Sequence, residues 1–354
     1  MDKILSVIVP SYNMEPFLEK GLQSLIIGKG LPAIEIIVVN DGSTDRTLSI
    51  AMDFREKYPD TVTVIDKKNG NYGSCVNAGL AVAVGKYVRI LDADDYVDTE
   101  AFEALVDCLE NTDADVIVCD YRKIYSGRKQ EDFTFSFPAQ RTVKIEDIYS
   151  EKSFSTILLP ALTYRLSILK KMNYRQTEGI SYTDTEWCYS PMTQMSTLYY
   201  FNKPVYMYVM GREGQTMDPA IFRIRIPQLL HCMYSLMSSL DNLVLSSWAN
   251  RFAVEQLVKH CIGIYRFFLI EHPEMSRQPL REFDSALKLK KNDVYEICGN
   301  AEYRKKIPYR FIEEWRSGRN EIIPVSVRCK EIVFDFLGTI HYYILRIFNP
   351  DLKR

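Results

Sequence analysis

Short apolar runs alternate with amphipathic segments through the first hundred residues of the chain. The apolar runs begin near residues 5, 34, 62 and 87, and each is followed by a polar turn. This spacing is about the length of one β-α unit, and continuous apolar runs are typical of strands that are buried on both faces. The pattern therefore predicts a parallel, Rossmann-like sheet over residues 1–110.

The second part of the sequence predicts fewer and more scattered strands. An apolar run passes into a helix between residues 154 and 171, and a polar loop or hairpin is expected over 127–142. A further helix is predicted to begin near Asp184. Strand-like runs occur at 115–126, 197–201 and 205–210.

The C-terminal part is predicted to be helical. Glycine becomes scarce from about residue 219, and helical periodicity is strongest over 247–270 and 328–348. The last of these segments is aromatic and amphipathic, so it would pack on the rest of the chain or in a homodimer, or lie on a membrane surface. The expected divisions are an α/β domain over 1–215, made of halves 1–110 and 111–215, and an α-helical region over 216–354.

The composition narrows the class of protein. With 44 basic and 46 acidic residues the net charge is −2, which gives no general field to attract nucleic acid. Eight cysteines occur without any C-x-x-C pair, so neither a zinc site nor a disulfide framework is predicted. No signal peptide is recognised, and no run reaches the roughly 18 uncharged apolar residues of a spanning helix. We expect a cytoplasmic protein, with peripheral contact at the inner face of the membrane left open.

Polar loops follow three of the four predicted strands in the first part. Because the carboxyl ends of parallel strands meet at one edge of a sheet, these loops should lie together and face a ligand. Asp92 and Asp94, one residue apart, suit Mn²⁺ or Mg²⁺ whose other ligands are substrate phosphates. Taken singly, each loop is also an ordinary turn or helix cap. The loops are Pro10-Ser11-Tyr12-Asn13, Asn40-Asp41-Gly42-Ser43 and Asp92-Ala93-Asp94.

Taken together with two further motifs, the loops resemble those of the inverting family 2 glycosyltransferases of GT-A fold, of the type that builds bacterial cell-envelope polysaccharides. The resemblance covers about residues 4 to 210. It implies an α/β, Rossmann-like GT-A fold with a mostly parallel central sheet. It also implies a nucleotide-diphosphate sugar donor, expected to be UDP-linked, and a divalent metal. The two further motifs are Asn77-Ala78-Gly79 and Gly85-Lys86-Tyr87.

The resemblance assigns roles to individual positions on the donor side. Ser11 and Tyr12 would line the base, and Asp41 would accept a hydrogen bond from it. Asp92 would lie near the ribose, and Asp94 would carry the Mn²⁺ or Mg²⁺. The expected donor-binding residues are Pro10, Ser11, Tyr12, Asn13, Asp41, Asn71, Asn77, Asp92 and Ala93.

The cation that meets the donor diphosphate is left open. The family often has Arg just before the Asn-Ala-Gly motif, where this chain has Val76. The candidates that remain are Lys67, Lys68 and Arg89.

A second motif concerns the catalytic base. Glycosyl transfer needs a carboxylate or histidine to take the proton of the attacking hydroxyl. Family members carry a Glu-Asp pair at the start of a helix, and here Thr183-Asp184 occupies that place, so the resemblance implies that Asp184 is the base. Thr183 or Asp184 could equally be a helix N-cap. Trp187 beside this motif would stack on an acceptor sugar or belong to the core.

These features predict a non-processive glycosyltransferase that acts on a saccharide or a lipid-linked saccharide. Processive synthases of the family carry a Gln-x-x-Arg-Trp signature and flanking membrane spans, and this sequence contains neither. Two alternatives remain: a nucleotidyltransferase acting on a sugar phosphate, and a non-catalytic nucleotide-sugar-binding scaffold.

Overall fold

The computed structural model of the chain describes residues 2–125, 129–150, 152–211, 219–304, 307–319, 323–324 and 326–327. The chain forms two compact units, Met1–Ala253 and Val254–Arg354. The first unit contains a sheet of ten strands, and the described part of the second is built from helices. The domain boundary expected at residue 215 stays a prediction.

Four parallel strands and three helices form the first part of the sheet unit, as predicted. The strands are β1 (Leu5–Ser11), β2 (Ile34–Asn40), β3 (Val62–Asp66) and β4 (Tyr87–Ile90), and the helices are α1 (Leu18–Ser24), α2 (Thr47–Lys57) and α3 (Asn71–Val82). The strand order is β3-β2-β1-β4, with Leu5 of β1 opposite both Ile34 and Tyr87. Every residue of β1, β2 and β4 is buried, which accounts for their continuous apolar sequences.

Mixed pairing extends the sheet beyond β4. The added strands are β5 (Tyr96–Val97), β6 (Val116–Ile124), β7 (Gln130–Phe133), β8 (Thr142–Lys144), β9 (Leu162–Arg165) and β10 (Thr197–Val209). The order continues β4-β9-β6-β10-β5, in which β9 is antiparallel to both neighbours and β10 is parallel to β6. β7 folds back on β6 as an antiparallel hairpin, and β8 pairs with β10.

Two strand predictions in this region are wrong in detail. The runs at 197–201 and 205–210 are one strand, β10, whose register with β6 shifts on both sides of Pro204. Proline cannot donate to the ladder, and this local irregularity resembles a strand end in the sequence. β9 was not predicted at all, because its four residues lie inside a longer apolar run and show no period of their own.

The remaining helices begin after β5. They are α4 (Thr99–Asn111), α5 (Ile145–Ile148), α6 (Leu166–Lys171), α7 (Asp184–Tyr189), α8 (Pro219–Asp241), α9 (Ser247–Arg266), α10 (Gln278–Lys290), α11 (Asn292–Gly299) and α12 (Phe311–Arg316). The predicted helix over 247–270 is confirmed by α9 and the π turn that continues it. The helix predicted over 328–348 lies outside the described residues. None of the described helices is long and apolar enough to cross a membrane.

The chain passes from α3 to β4 through Gly85, which lies against β1. A Cβ atom at this position would lie 2.6 Å from the backbone nitrogen of Ser6. The Gly85 amide donates to Ser6 Oγ at 2.9 Å, and Glu35 Oε1 accepts from the amide of Val84 at 2.6 Å. The close approach of β4 to β1 therefore requires glycine at position 85.

Replacing Gly85 with alanine should lower the free energy of unfolding by about 1–3 kcal/mol, because the added methyl group overpacks the β1–β4 contact. Urea denaturation measures this loss. Gly263→Ala is the control: Gly263 lies within α9 and a Cβ there meets no atom within 4 Å. That variant should gain up to about 1 kcal/mol from helix propensity. Equal stability of Gly85→Ala and the wild type would contradict the close approach.

Candidate active site

The loops that follow β1 and β2 lie side by side at the carboxyl edge of the sheet. Ser11 pairs with Asn40 at the end of the β1–β2 register, and the amide of Asp41 donates to the carbonyl of Ser11 at 2.9 Å. The parallel topology thus brings together the polar loops 10–13 and 40–43, which lie one β-α unit apart in the sequence.

Asp41 is buried in a network with Lys67. Its Oδ1 accepts from Lys67 Nζ at 2.5 Å and from the amide of Gly70 at 2.9 Å. Lys67 Nζ also donates to the carbonyl of Lys68 and to Ser74 Oγ, at 2.7 and 2.8 Å. An ammonium group has three protons, so all of them are engaged within the protein. Of the three cations considered for the diphosphate, Lys67 serves to fix Asp41, whereas Lys68 is exposed.

Tyr12 presents its ring at the surface of this edge. Tyr12 is 47% exposed, whereas the neighbouring Ser11 is 2% exposed. Asn13 adopts a left-handed φ of 52° and locks the two loops together: its Oδ1 accepts from the amide of Thr44 at 2.9 Å, and its own amide donates to Ser43 Oγ at 3.0 Å. The loop is therefore anchored on both sides of an accessible aromatic ring.

The other predicted donor-side residues differ in accessibility. Pro10 and Ala93 are buried, so their contribution to a ligand would come from backbone atoms or shape. Asn71 has a left-handed φ of 63° and opens α3 with a half-buried side chain. Its place at the edge of the site is compatible with ligand contact.

Asn77 is engaged in another way. Its Nδ2 donates to the carbonyl of Gln176 and to Glu178 Oε1, each at 2.9 Å, and its Oδ1 accepts from the amide of Gln176 at 2.9 Å. The whole amide group therefore holds the segment before α7 against α3. This geometry gives Asn77 a structural role, and its predicted part in donor binding has no support from its contacts.

The acids after β4 are held by tyrosine hydroxyl groups. Asp92 Oδ1 accepts from Tyr72 OH at 2.6 Å. Asp95 Oδ2 accepts from Tyr206 OH at 2.7 Å, and Asp95 Oδ1 accepts from the amide of Val209 at 2.7 Å. The Tyr206 oxygen also accepts from the amide of Asp92 at 3.2 Å. One residue of β10 therefore fixes both the side chain and the backbone of the acidic loop.

Asp184 lies within electrostatic range of Asp92. Burial raises the pKa of Asp92 to about 7, and the charges of Asp94 and Asp184 add to that shift while the Tyr72 hydrogen bond opposes it. Burial likewise raises the pKa of Tyr208, with further contributions from Asp92, Asp184 and Asp94. The structure thus brings the base predicted in the second half of the domain to the acids of the first half.

Asp184 and Glu186 differ in what they offer a substrate. Asp184 is the first residue of α7 and is exposed, yet protein surrounds the carboxyl group closely enough that desolvation raises its pKa. Glu186 is 4% exposed and accepts from the amide and Oγ1 of Thr177, at 2.7 and 2.6 Å. Thr183 occupies the N-cap position without a capping bond from its side chain. Asp184 is therefore the carboxylate of this motif that an acceptor can reach.

Trp187 and Arg89 belong to the core. Trp187 is fully buried, with its ring centroid 5.1 Å from that of Tyr164 and 5.8 Å from that of Tyr174, so it provides no platform for an acceptor sugar. Arg89 is also fully buried, and its Nη2 donates to the carbonyl of Pro160 at 3.0 Å. Arg89 can therefore be set aside as the cation for the diphosphate.

Asp92 and Asp94 fit a divalent cation that is shared with a substrate. Both are half-buried, and their mutual repulsion contributes to the raised pKa of Asp92, so a bound cation would relieve a charge conflict. Within the described ranges, no group of three or more His, Cys, Asp or Glu side chains forms a metal cage. Mg²⁺ commonly binds one or two carboxylates and completes its shell with phosphate oxygens and water.

The sequence did not reveal the tyrosines that support the acids. Tyr72 lies in the first turn of α3 and Tyr206 lies in β10, and from the sequence each is an ordinary apolar or half-buried residue of its element. Their roles depend on pairing between distant segments, which no local signal encodes.

The sheet topology and the acids at its carboxyl edge agree with the GT-A fold that the sequence motifs imply. Residues 6–162 match the family model described as Glycosyl transferase family 2. The resemblance stated from the sequence motifs is therefore confirmed.

Several known proteins are similar to the chain. The glycosyltransferase EpsJ of Bacillus subtilis is 39% identical over 129 residues, covering 36% of this chain and 37% of EpsJ. TarS of Staphylococcus aureus, a poly(ribitol-phosphate) beta-N-acetylglucosaminyltransferase, is 28% identical over 219 residues, covering 61% of this chain and 37% of TarS. The chain therefore spans little more than a third of the length of either relative.

The fold is also similar to a solved structure. The crystal structure of S. aureus TarS 1–349 in complex with UDP-GlcNAc matches with a TM-score of 0.63 at 22% identity, covering 89% of this chain and 92% of that one. At this identity the match establishes the fold.

Tyr206→Phe should loosen the acidic loop, because it leaves Asp95 Oδ2 and the amide of Asp92 without the hydroxyl that joins them. We expect a loss of about 1–3 kcal/mol in unfolding free energy, measured by urea denaturation. Tyr208→Phe is the matched control on the same strand, since within the described residues its hydroxyl makes no such hydrogen bond to these acids. Equal losses in the two variants would show that the Tyr206 hydroxyl does not hold the loop.

Proposed function

We propose that the chain transfers a sugar from a nucleotide-diphosphate sugar to a hydroxyl group of an acceptor, with inversion at the anomeric carbon. One observation carries the proposal: Asp184, from the second half of the domain, lies within electrostatic range of Asp92 after β4. This proximity supports a site in which a base, a pair of metal-binding acids and a donor-binding edge would act together.

The donor side would bind a nucleoside through two features. Tyr12 offers an exposed ring on which a planar base can stack. Asp41 is fixed by Lys67 and by Gly70, and its carboxylate keeps acceptor capacity for a base N–H. We expect a uridine nucleotide, a choice supported by the similarity to TarS, whose structure was determined with UDP-GlcNAc.

In the proposed reaction the acceptor oxygen attacks the anomeric carbon while Asp184 takes the hydroxyl proton. The bond between that carbon and the donor diphosphate breaks as the new C–O bond forms, and the nucleoside diphosphate leaves with the electron pair. A single displacement of this kind inverts the configuration. The raised pKa of Asp184 suits this role, because a carboxylate with a higher pKa is a stronger base.

Asp94, with Asp92 beside it, would hold Mn²⁺ or Mg²⁺. When bound, such an ion would neutralise the charge that develops on the leaving diphosphate. The acceptor would be a saccharide or a lipid-linked saccharide. A cytoplasmic location, peripheral membrane contact and a homodimer remain predictions from the sequence.

A donor screen tests the proposed function. In the presence of Mn²⁺, UDP-sugars should raise the melting temperature more than GDP- or dTDP-sugars, since a ligand at 100 times its Kd stabilises the folded state by about 2.7 kcal/mol. Slow release of UDP from the preferred donor should accompany binding. Binding without any release or transfer would favour the scaffold alternative, and pyrophosphate release from a nucleoside triphosphate and a sugar phosphate would favour the nucleotidyltransferase.

Asp94→Ala should abolish Mn²⁺-dependent donor binding and leave the fold intact, because a half-buried acid at a strand end supports no core. Isothermal titration with and without Mn²⁺ measures the effect. Asp98→Ala is the control: Asp98 caps α4 by accepting from the amide of Ala101 at 3.0 Å, so its loss should cost about 1 kcal/mol of stability and no metal response. Unchanged Mn²⁺ dependence in Asp94→Ala would remove this residue from the metal site.

Asp184→Asn should keep donor affinity and lower transfer by about 10²- to 10⁴-fold, since asparagine retains the shape but not the basicity of the carboxylate. Steady-state rates and donor titrations measure the two quantities separately. If Asp184 served only to begin the helix, asparagine would leave activity nearly normal.

Glu186→Gln is the paired control for this substitution. It should reduce stability, because an amide NH₂ cannot accept from Thr177, while the folded fraction remains active. Loss of transfer in Glu186→Gln combined with an active Asp184→Asn would move the base to Glu186.

A further inference from the structure

One face of α8 lies along the segment that leads into α7. Phe222 packs its ring against that of Tyr182 with centroids 5.6 Å apart, and Gln228 Oε1 accepts from the amide of Ser181 at 2.9 Å. Cys232 Sγ donates to the carbonyl of Tyr182 at 3.4 Å. Positions 222, 228 and 232 recur at helical spacing, so α8 presents a continuous face to the residues immediately before Asp184.

Arg225 lies on this same face. Its Nη1 donates to Ser181 Oγ at 3.1 Å, and its side chain is half-buried. Burial raises the pKa of Tyr182. The charge of Arg225 opposes this rise, and the charge of Asp184 adds to it. Tyr182 is therefore within electrostatic range of both the guanidinium group and the base, which places Arg225 at the border of the candidate active site.

The guanidinium group retains donors for a ligand. It carries five N–H groups, and among the described residues Ser181 takes one of them. Two of the other three cations considered for the site are less available, since Lys67 is saturated by protein acceptors and Arg89 is enclosed in the core; Lys68 is exposed. A positive side chain near Asp184, in addition to the proposed metal ion, would favour the approach of an anionic substrate, because like charges in a partly desolvated site repel strongly.

We propose that Arg225 binds a phosphate group of the substrate beside Asp184. A planar guanidinium donates two parallel hydrogen bonds to phosphate oxygens. The hydrogen bond to Ser181 orients the Arg225 guanidinium and uses one of its five N–H groups. This inference rests on the proposed function and goes beyond it by assigning the phosphate-binding cation to α8. The phosphate would be the donor diphosphate or a phosphate carried by the acceptor.

Binding measurements on Arg225→Gln and Arg225→Lys test the assignment. With Mn²⁺ present, Arg225→Gln should bind UDP about 10-fold or more weakly than the wild type and should bind uridine equally well, because uridine lacks the phosphates. Arg225→Lys should recover part of the loss, since it keeps the charge and loses the fork. If the phosphate belongs to the acceptor, UDP binding stays normal, and binding of a phosphate-bearing acceptor probe at saturating UDP weakens by a similar factor; the probe is ribitol 5-phosphate, chosen from the acceptor in the name of TarS.

Arg223→Gln is the matched control. Arg223 lies two positions away on α8, is exposed and therefore points to a different side of the helix. Unchanged affinity of Arg225→Gln for both UDP and ribitol 5-phosphate would overturn the proposal, as would equal losses in Arg225→Gln and Arg223→Gln. A parallel loss of uridine binding would show a general disturbance of the site and would overturn it too. If the wild-type protein bound neither UDP nor UDP-sugars, the proposed function itself would be overturned. Results on the variants alone would bear only on the role of Arg225.

Discussion

Repulsion between carboxylates is the constraint on which this site depends. Asp92, Asp95 and Asp184 crowd into a partly desolvated edge of the sheet, and loops bearing such charges separate unless donors hold them. The donors come from elements far away in the sequence: Tyr72 from the start of α3 and Tyr206 from β10. The acids can remain close because the scaffold behind them supplies hydrogen bonds that do not neutralise them.

The sequence predicts the first half of this arrangement because the physics there is local. Strands buried on both faces must be apolar throughout, and the loops after them must be polar, so the parallel sheet and its functional edge are both visible as a pattern. Asp41 and Asp92 could be named from that pattern together with the family resemblance. Asp184 required the resemblance, since a lone acid at the start of a short helix is otherwise an ordinary helix residue.

What the sequence could not predict depends on partners that are distant along the chain. Arg89 stands in a strand, and nothing nearby indicates that it is enclosed beside the carbonyl of Pro160. Asn77 belongs to a motif of the donor side, yet its amide is used to hold Gln176. Trp187 lies in the same short helix as Asp184 and packs inward. In each case the side chain's chemistry allows several roles, and only the tertiary neighbours select one.

The long pairing of β10 with β6 has a consequence for how the protein is made. β10 ends at Val209, and its residues close both the sheet and the acidic loop, through Tyr206 and the Val209 amide. On the ribosome, the first four strands emerge well before β10, and chains rich in distant contacts fold slowly. Until β10 has been synthesised, the first half of the chain can hold Asp92 through Tyr72 but lacks the partners of Asp95, so the acidic loop is completed late in synthesis.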